Sequence, residues 1–102
     1  MKLWVVHWSN ASLDDDGNCS AFGNVHGVYT TPEEAQAGLV ECKDEVVDGF
    51  VNNPDLDEID RAFAQQNIQV YGSVQENYFE VDFDQCDIIT ETYISIAEME
   101  RV

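Results

Sequence analysis

Residues 2–8, Lys-Leu-Trp-Val-Val-His-Trp, form an aromatic and β-branched run that predicts a buried strand. Trp4, Val6 and Trp8 fall at alternate positions, share one face and are assigned to the core. Asn10 to Asn24, centred on Asp14-Asp15-Asp16-Gly17-Asn18, reads as a loop. Val25 to Thr30 predicts a second strand, antiparallel to the first.

The sharpest local signal follows. Thr31 can cap a helix, Pro32 suits its first position, where a missing N–H costs nothing, and Glu34 completes a capping box. Glu33 and Glu34 favour the positive end of the helix dipole. Ala35, Leu39, Cys42, Val46 and Phe50 then recur at helical spacing as one apolar stripe, so residues 32–51 are predicted to be an amphipathic helix. Asn52-Asn53-Pro54 ends it. Leu56, Ile59 and Phe63 are spaced as the apolar face of a second, shorter helix, with Asp55, Asp57, Glu58 and Asp60 near its start.

Three strands complete the pattern. Ile68 to Tyr71 is the first, and Tyr78 to Asp84 alternates with Phe79, Val81 and Phe83 on one side and Glu80, Asp82 and Asp84 on the other. Gln85-Cys86-Asp87 reads as a turn before a long last strand, Ile88 to Met99. The order ββααβββ predicts an α+β fold. It is a mostly antiparallel sheet of about five strands with two helices on one face, in a single compact acidic domain over residues 1–102.

Charge changes the picture. Twenty-one Asp and Glu face four Lys and Arg, for a formal net charge of −17. That argues against direct nucleic-acid binding and against docking on an anionic membrane, both of which need clustered cations. No apolar run approaches the roughly 18 residues of a membrane span, and the first eight residues do not read as a signal peptide. Three widely spaced cysteines suit a reducing cytoplasm better than a disulfide framework.

Candidate chemistry is sparse. His7 and His26 lie on neighbouring predicted strands and could converge with Cys19, Cys42 or Cys86, which would make a small metal-dependent sensor or enzyme. The close ligand pairs that mark zinc sites are missing, so no metal or cofactor is expected. Aligning Gly17 with the invariant glycine of an EF-hand puts Gly23 where the bidentate Glu belongs, so the calcium pattern fails as well. The helix starts carry acids that would repel a phosphate, and nothing singles out a carboxylate pair or a cysteine nucleophile. No catalytic residue is nominated. Tyr29, Tyr71, Tyr78 and Tyr93 are the aromatic residues expected at the surface.

The acids are segmental. Residues 31–60 hold ten of them and one Lys, residues 76–100 hold eight and no base, and residues 62–75 carry no charge. Glu80, Asp82 and Asp84 are expected to project from one exposed strand face at intervals of about 6.6 Å. Glu41, Asp44, Glu45 and Asp48 form a helical acid face, and Asp55, Asp57 and Glu58 add to it. Solubility or salt adaptation needs charge anywhere on the surface, whereas a surface that imitates nucleic acid needs it in patches.

A short, very acidic chain with a compact α+β pattern resembles the nucleic-acid-mimicking inhibitors that phages and mobile elements direct at host defence, notably anti-CRISPR and anti-restriction proteins. Locally, Leu3-Trp4-Val5-Val6-His7-Trp8 and Gly27-Val28-Tyr29-Thr30-Thr31-Pro32-Glu33-Glu34-Ala35 are similar to small phage and plasmid proteins. The resemblance implies a non-enzymatic inhibitor in the cytoplasm of a bacterial host. Its partner would be a nucleic-acid-binding defence protein, a CRISPR effector or restriction enzyme. The resemblance carries over no residue by motif; the acid patches themselves nominate Glu41, Asp44, Glu45, Asp48, Asp55, Asp57, Glu58, Glu80, Asp82 and Asp84 as the contact. The competing expectation is an acidic structural or accessory phage or plasmid protein with no such role.

Overall fold

Strong alternation and one well-capped amphipathic helix give a sheet with a helical layer on it. In a computed structural model, strands β1 (Lys2–Leu13), β2 (Cys19–Tyr29), β3 (Ile68–Ser73), β4 (Tyr78–Gln85) and β5 (Ile88–Glu100) form one antiparallel sheet, in the order β2-β1-β5-β4-β3. Helices α1 (Pro32–Val51) and α2 (Glu58–Asn67) stand between β2 and β3 in the chain. The structure describes residues 1–13, 16–85 and 88–100, with the side chains of residues 84, 85, 88 and 89 outside that description.

The expected element order ββααβββ is the observed one, and α1 begins and ends at the expected residues. Thr31 is its N-cap and accepts a hydrogen bond from the Glu34 amide at 3.2 Å. Asp57 caps α2 in the same way, accepting from the Asp60 amide at 2.8 Å.

The register explains the core. Trp8, Ile94 and Phe79 stand side by side across β1, β5 and β4, with Val6 opposite Ile96 one step along. Alternate side chains share a face, so these residues point together beneath α1. Val6, Val81 and Ile94 are fully buried, as are Ala35 and Leu39 from the helix, and Cys42 is nearly so. Trp4, Trp8, Val46 and Phe50 pack around them, as the stripe and the alternation predict.

Two expectations are corrected. The segment from Asn10 to Asn24 is not a loop throughout: β1 continues to Leu13 and β2 starts at Cys19, with ten cross-strand partners from Trp4–Tyr29 to Leu13–Cys19. Pairing decides this, because β1 gains β5 as well as β2 as a neighbour, and the ladder carries on past the apolar run. Asp14 and Asp15, at the centre of that segment, lie outside the described residues, as do Cys86 and Asp87 of the expected turn. Nor is Leu56-Ile59-Phe63 a core face. Ile59 is 80% exposed and Phe63 40%, while Ala64 is the buried residue of α2. A short helix set beside α1 turns its small residue inward, where the space is limited.

Candidate functional site

The outer surface of α1 carries Glu41, Asp44, Glu45 and Asp48, all exposed, around Ala37 and the half-buried Val40. Burying Leu39 and Cys42 forces this outcome for Glu41 and Asp44, since a residue two positions on lies about 200° round a 3.6-residue turn, while Glu45, three on from Cys42, falls on the flank of the buried side. From Glu41 to Asp48 the axis advances about 10.5 Å, one carboxylate per roughly 3.5 Å. One strand of duplex nucleic acid presents a phosphate about every 3.4 Å of axis. Asp55, Asp57 and Glu58 are also exposed, in the segment that leads from α1 into α2.

Nearby cations are few. Lys43 Nζ lies 2.6 Å from Asp44 Oδ1, and its ammonium also sits 5.4 Å from the Phe79 ring centroid. His26 reaches up from β2 between two carboxylates, with Nε2 3.8 Å from Glu41 Oε1 and Nδ1 3.7 Å from Glu45 Oε2. It is the extra residue where the β1–β2 register shifts, and the bulge aims it at the helix. Glu41 and Glu45 reach the core electrostatically as well. Burial, reinforced by Glu45 and Glu41, pushes the Cys42 thiol up to about 11. Tyr29 is also raised, first by burial and then by Glu41, Cys42 and Glu45.

The remaining predicted acids are elsewhere. Glu80 and Asp82 point away from the helices, because Phe79, Val81 and Phe83 between them point inward. The structure therefore splits the predicted carboxylates between opposite sides of the molecule. The β4 row is also half-buried rather than open, since Glu80 stands between Tyr71 and Tyr93 on neighbouring strands. Asp82 faces Glu91, a like charge directly across the ladder. The Asp84 side chain lies outside the described set.

Of the four tyrosines, Tyr71 and Tyr93 are exposed and Tyr78 stacks on Tyr93 with centroids 5.6 Å apart. Tyr29 departs from expectation and turns its phenol against Gly38 of α1. The two histidines do not meet. His7 lies on the helix-free face, bonded through Nε2 to Ser95 Oγ at 3.1 Å, and His26 lies on the helix face. Among the described residues no group of three or more His, Cys, Asp or Glu is placed to hold a metal ion. None of their helices is long and apolar enough to cross a membrane.

One feature was not legible in the sequence. Beside the C-terminal half of α1, a cleft of about 220 Å³ opens between helix and sheet, lined by Trp8, Asn10, Glu45, Val46, Phe50 and Thr92, with Gly49 among them. Asn10 and Thr92 are cross-strand partners. Asn10 Oδ1 and Thr92 Oγ1 are both buried without a hydrogen-bond partner among the described residues. Reading Asn10 as loop hid the site, because only a strand running through it puts Trp8, Asn10 and Thr92 on one face.

No protein-family model matches this chain, and no curated protein and no solved structure matches it.

Proposed function

We propose that this protein is a non-enzymatic inhibitor that sits on the positively charged nucleic-acid-binding surface of a host-defence protein, a CRISPR effector or a restriction enzyme, and excludes the nucleic acid. One observation carries the reading: α1 presents Glu41, Asp44, Glu45 and Asp48 on a rigid, exposed face, at close to the axial density of phosphates on one duplex strand. Rigidity matters, because carboxylates at fixed spacing can replace phosphates against several Lys and Arg at once, whereas charge on a loose segment cannot. Such pairs steer encounter and set specificity. Asp55, Asp57 and Glu58, exposed in the segment that leads into α2, add further carboxylates. Glu80 and Asp82 face the other way and belong to a different contact or to none.

A second reading is that of an acidic accessory protein whose charge serves solubility. It is favoured by the presence of carboxylates on both outer surfaces, including the unfavourable Asp82–Glu91 pairing.

A competition experiment separates the two. The candidate target is held with labelled DNA or RNA, and wild-type protein or the triple variant Glu41→Lys, Asp44→Lys, Asp48→Lys is titrated in at several salt concentrations. The inhibitor reading expects displacement by the wild type that weakens steeply with salt, and its loss in the triple variant. No displacement, or equal displacement by both proteins, overturns it.

A further inference from the structure

We propose that the helix-free face of the sheet, over β1, β2 and the C-terminal half of β5, is an interface on which a second copy of this chain docks, sheet against sheet, about a two-fold axis. The proposal is independent of the inhibitor reading, because the acid face of α1 looks away from this surface and stays open in the dimer.

The sheet carries two kinds of outer face. A strand with one face in water alternates apolar and polar positions, whereas a strand covered on both faces reads as a continuous apolar run. β4 follows the first pattern, with Phe79, Val81 and Phe83 inward and Glu80 and Asp82 outward. β1 follows the second. Its inward Trp4, Val6 and Trp8 are interleaved with Leu3, Val5 and His7 on the outer side, yet the helices cover only the inward face. The register carries this outer patch across three strands. Leu3 stands opposite Met99, and Val5 stands between Val28 and Ala97. The register shift at His26 adds Val25, opposite His7, so two valines three positions apart share the face. Val25, Val28 and Met99 are each more than half exposed. His7 and Ser95, the polar pair in the middle, are bonded to each other at 3.1 Å and can be covered without leaving that bond unmade. Tyr78 and Tyr93 stack beside them.

Charge selects the occupant. None of the described residues in this patch is Asp, Glu, Lys or Arg. Lys2, Glu98 and Glu100 alternate to the helix side, and Glu80, Asp82 and Glu91 lie towards the other end of the face. A cationic partner would therefore settle on the carboxylates of α1 or β4 and not here. Two copies of a chain with net charge −17 repel each other, and they approach best where no carboxylate opposes another. A two-fold axis across the strands, between the Val5 and His7 positions, would set Val25 on the partner's Val28 and Tyr93 on the partner's Met99. The same rotation carries Glu80, Asp82 and Glu91 of each copy past the partner's apolar patch. Strands about 4.8 Å apart and outward residues about 6.6 Å apart give the patch an outline of about 20 by 25 Å, so two copies bury about 1,000 Å², the size at which specific interfaces begin. The result is a four-layer body with the two sheets inside and the helices outside.

Sedimentation velocity and light scattering of the full chain over a concentration series test the interface. The wild type should reach twice the chain mass of 11.5 kDa, with a dissociation constant on the order of 1–10 μM for an interface of this size. Its melting temperature should rise with protein concentration. Added salt should tighten the dimer, because it screens the repulsion between the copies.

Val28→Glu and Met99→Glu alter exposed side chains, so each should keep the fold by circular dichroism while weakening the dimer at least about tenfold. The milder pair Val28→Thr with Met99→Gln should act in the same direction, and it decides the matter if a glutamate perturbs folding. Phe22→Glu is the control: Phe22 is exposed on edge strand β2 but lies on the helix side against Trp8, so this variant should dimerise like the wild type. A monomer at every concentration up to about 1 mM overturns the proposal, as does a dimer untouched by the Val28 and Met99 substitutions. Loss of the dimer in Phe22→Glu alone would show pairing through the edge of β2 and overturns it equally.

Discussion

The phenol of Tyr29, at the end of β2, occupies the space a side chain at Gly38 would fill. Gly38 is buried in the middle of α1, where a glycine costs about 1 kcal/mol of helix stability relative to alanine. The contact accounts for that cost: an edge strand comes close to the helix only because residue 38 has no Cβ, and Gly27 also leaves room for the same ring. Gly38→Ala should therefore destabilise the fold by about 1–3 kcal/mol, as overpacking does. Gly49→Ala, whose Cβ meets nothing within 4 Å, should stabilise by up to about 1 kcal/mol. Chemical denaturation of the two variants checks the contrast, and equal shifts would refute it.

Leu39 is fully exposed to the core and not at all to water. Leu39→Ala should cost about 2–5 kcal/mol through lost burial and the cavity left behind. Leu39→Asp, which buries an unpaired charge, should leave no cooperative thermal transition.

Ile59 reverses that logic. At 80% exposure, Ile59→Ser should change stability by no more than about 0.5 kcal/mol. A large loss on denaturation would mean that α2 uses the face suggested by its spacing. Should α2 belong to the target contact, the same variant will weaken competition with no change in melting.

The raised pKa of Cys42 sets a sign for alkaline pH. Its thiol titrates near 11 in the fold, against 9.0 when free of such influences. Between those values the unfolded chain has released a proton that the folded chain still holds, so ionisation favours unfolding. The stabilising effect is complete below about pH 9 and is lost as pH rises through about 11; Tyr29, also raised, acts in the same direction. Melting temperature against pH should fall over this range, and less so in Cys42→Ala relative to its own neutral value. Alkylation mapped by mass spectrometry at pH 8 should modify exposed Cys19 quickly and buried Cys42 only on unfolding.

Charge gives the last prediction. Seventeen net negative charges repel one another in the compact state, so added salt should raise the melting temperature of the free protein. The same salt should weaken its complex with a cationic target, because screening shortens to about 8 Å at physiological ionic strength. Melting and competition measured over one salt series should move in opposite directions.

Local pattern along the chain set the periodic elements. Thr31-Pro32-Glu33-Glu34 fixed where α1 begins, because capping is a matter of a few adjacent residues, and the steps from Ala35 to Phe50 fixed its buried side. Phe79, Val81 and Phe83 fixed the inward face of β4, since a strand has a period of two. Tertiary structure decided whatever depends on a neighbour distant in the chain. Residues 9–13 became strand because β5 and β2 supply backbone partners on both sides, a fact with no local apolar signature. Ile59 stayed outside because the space beside α1 admits Ala64. The predicted carboxylates whose side chains are described were divided because the helices cover only the face bearing Phe79 and Val81, so that α1 and the Glu80–Asp82 row look in opposite directions. The cleft with Asn10 and Thr92 could come from nowhere else. It joins residues 82 positions apart, and only strand register makes them cross-strand partners.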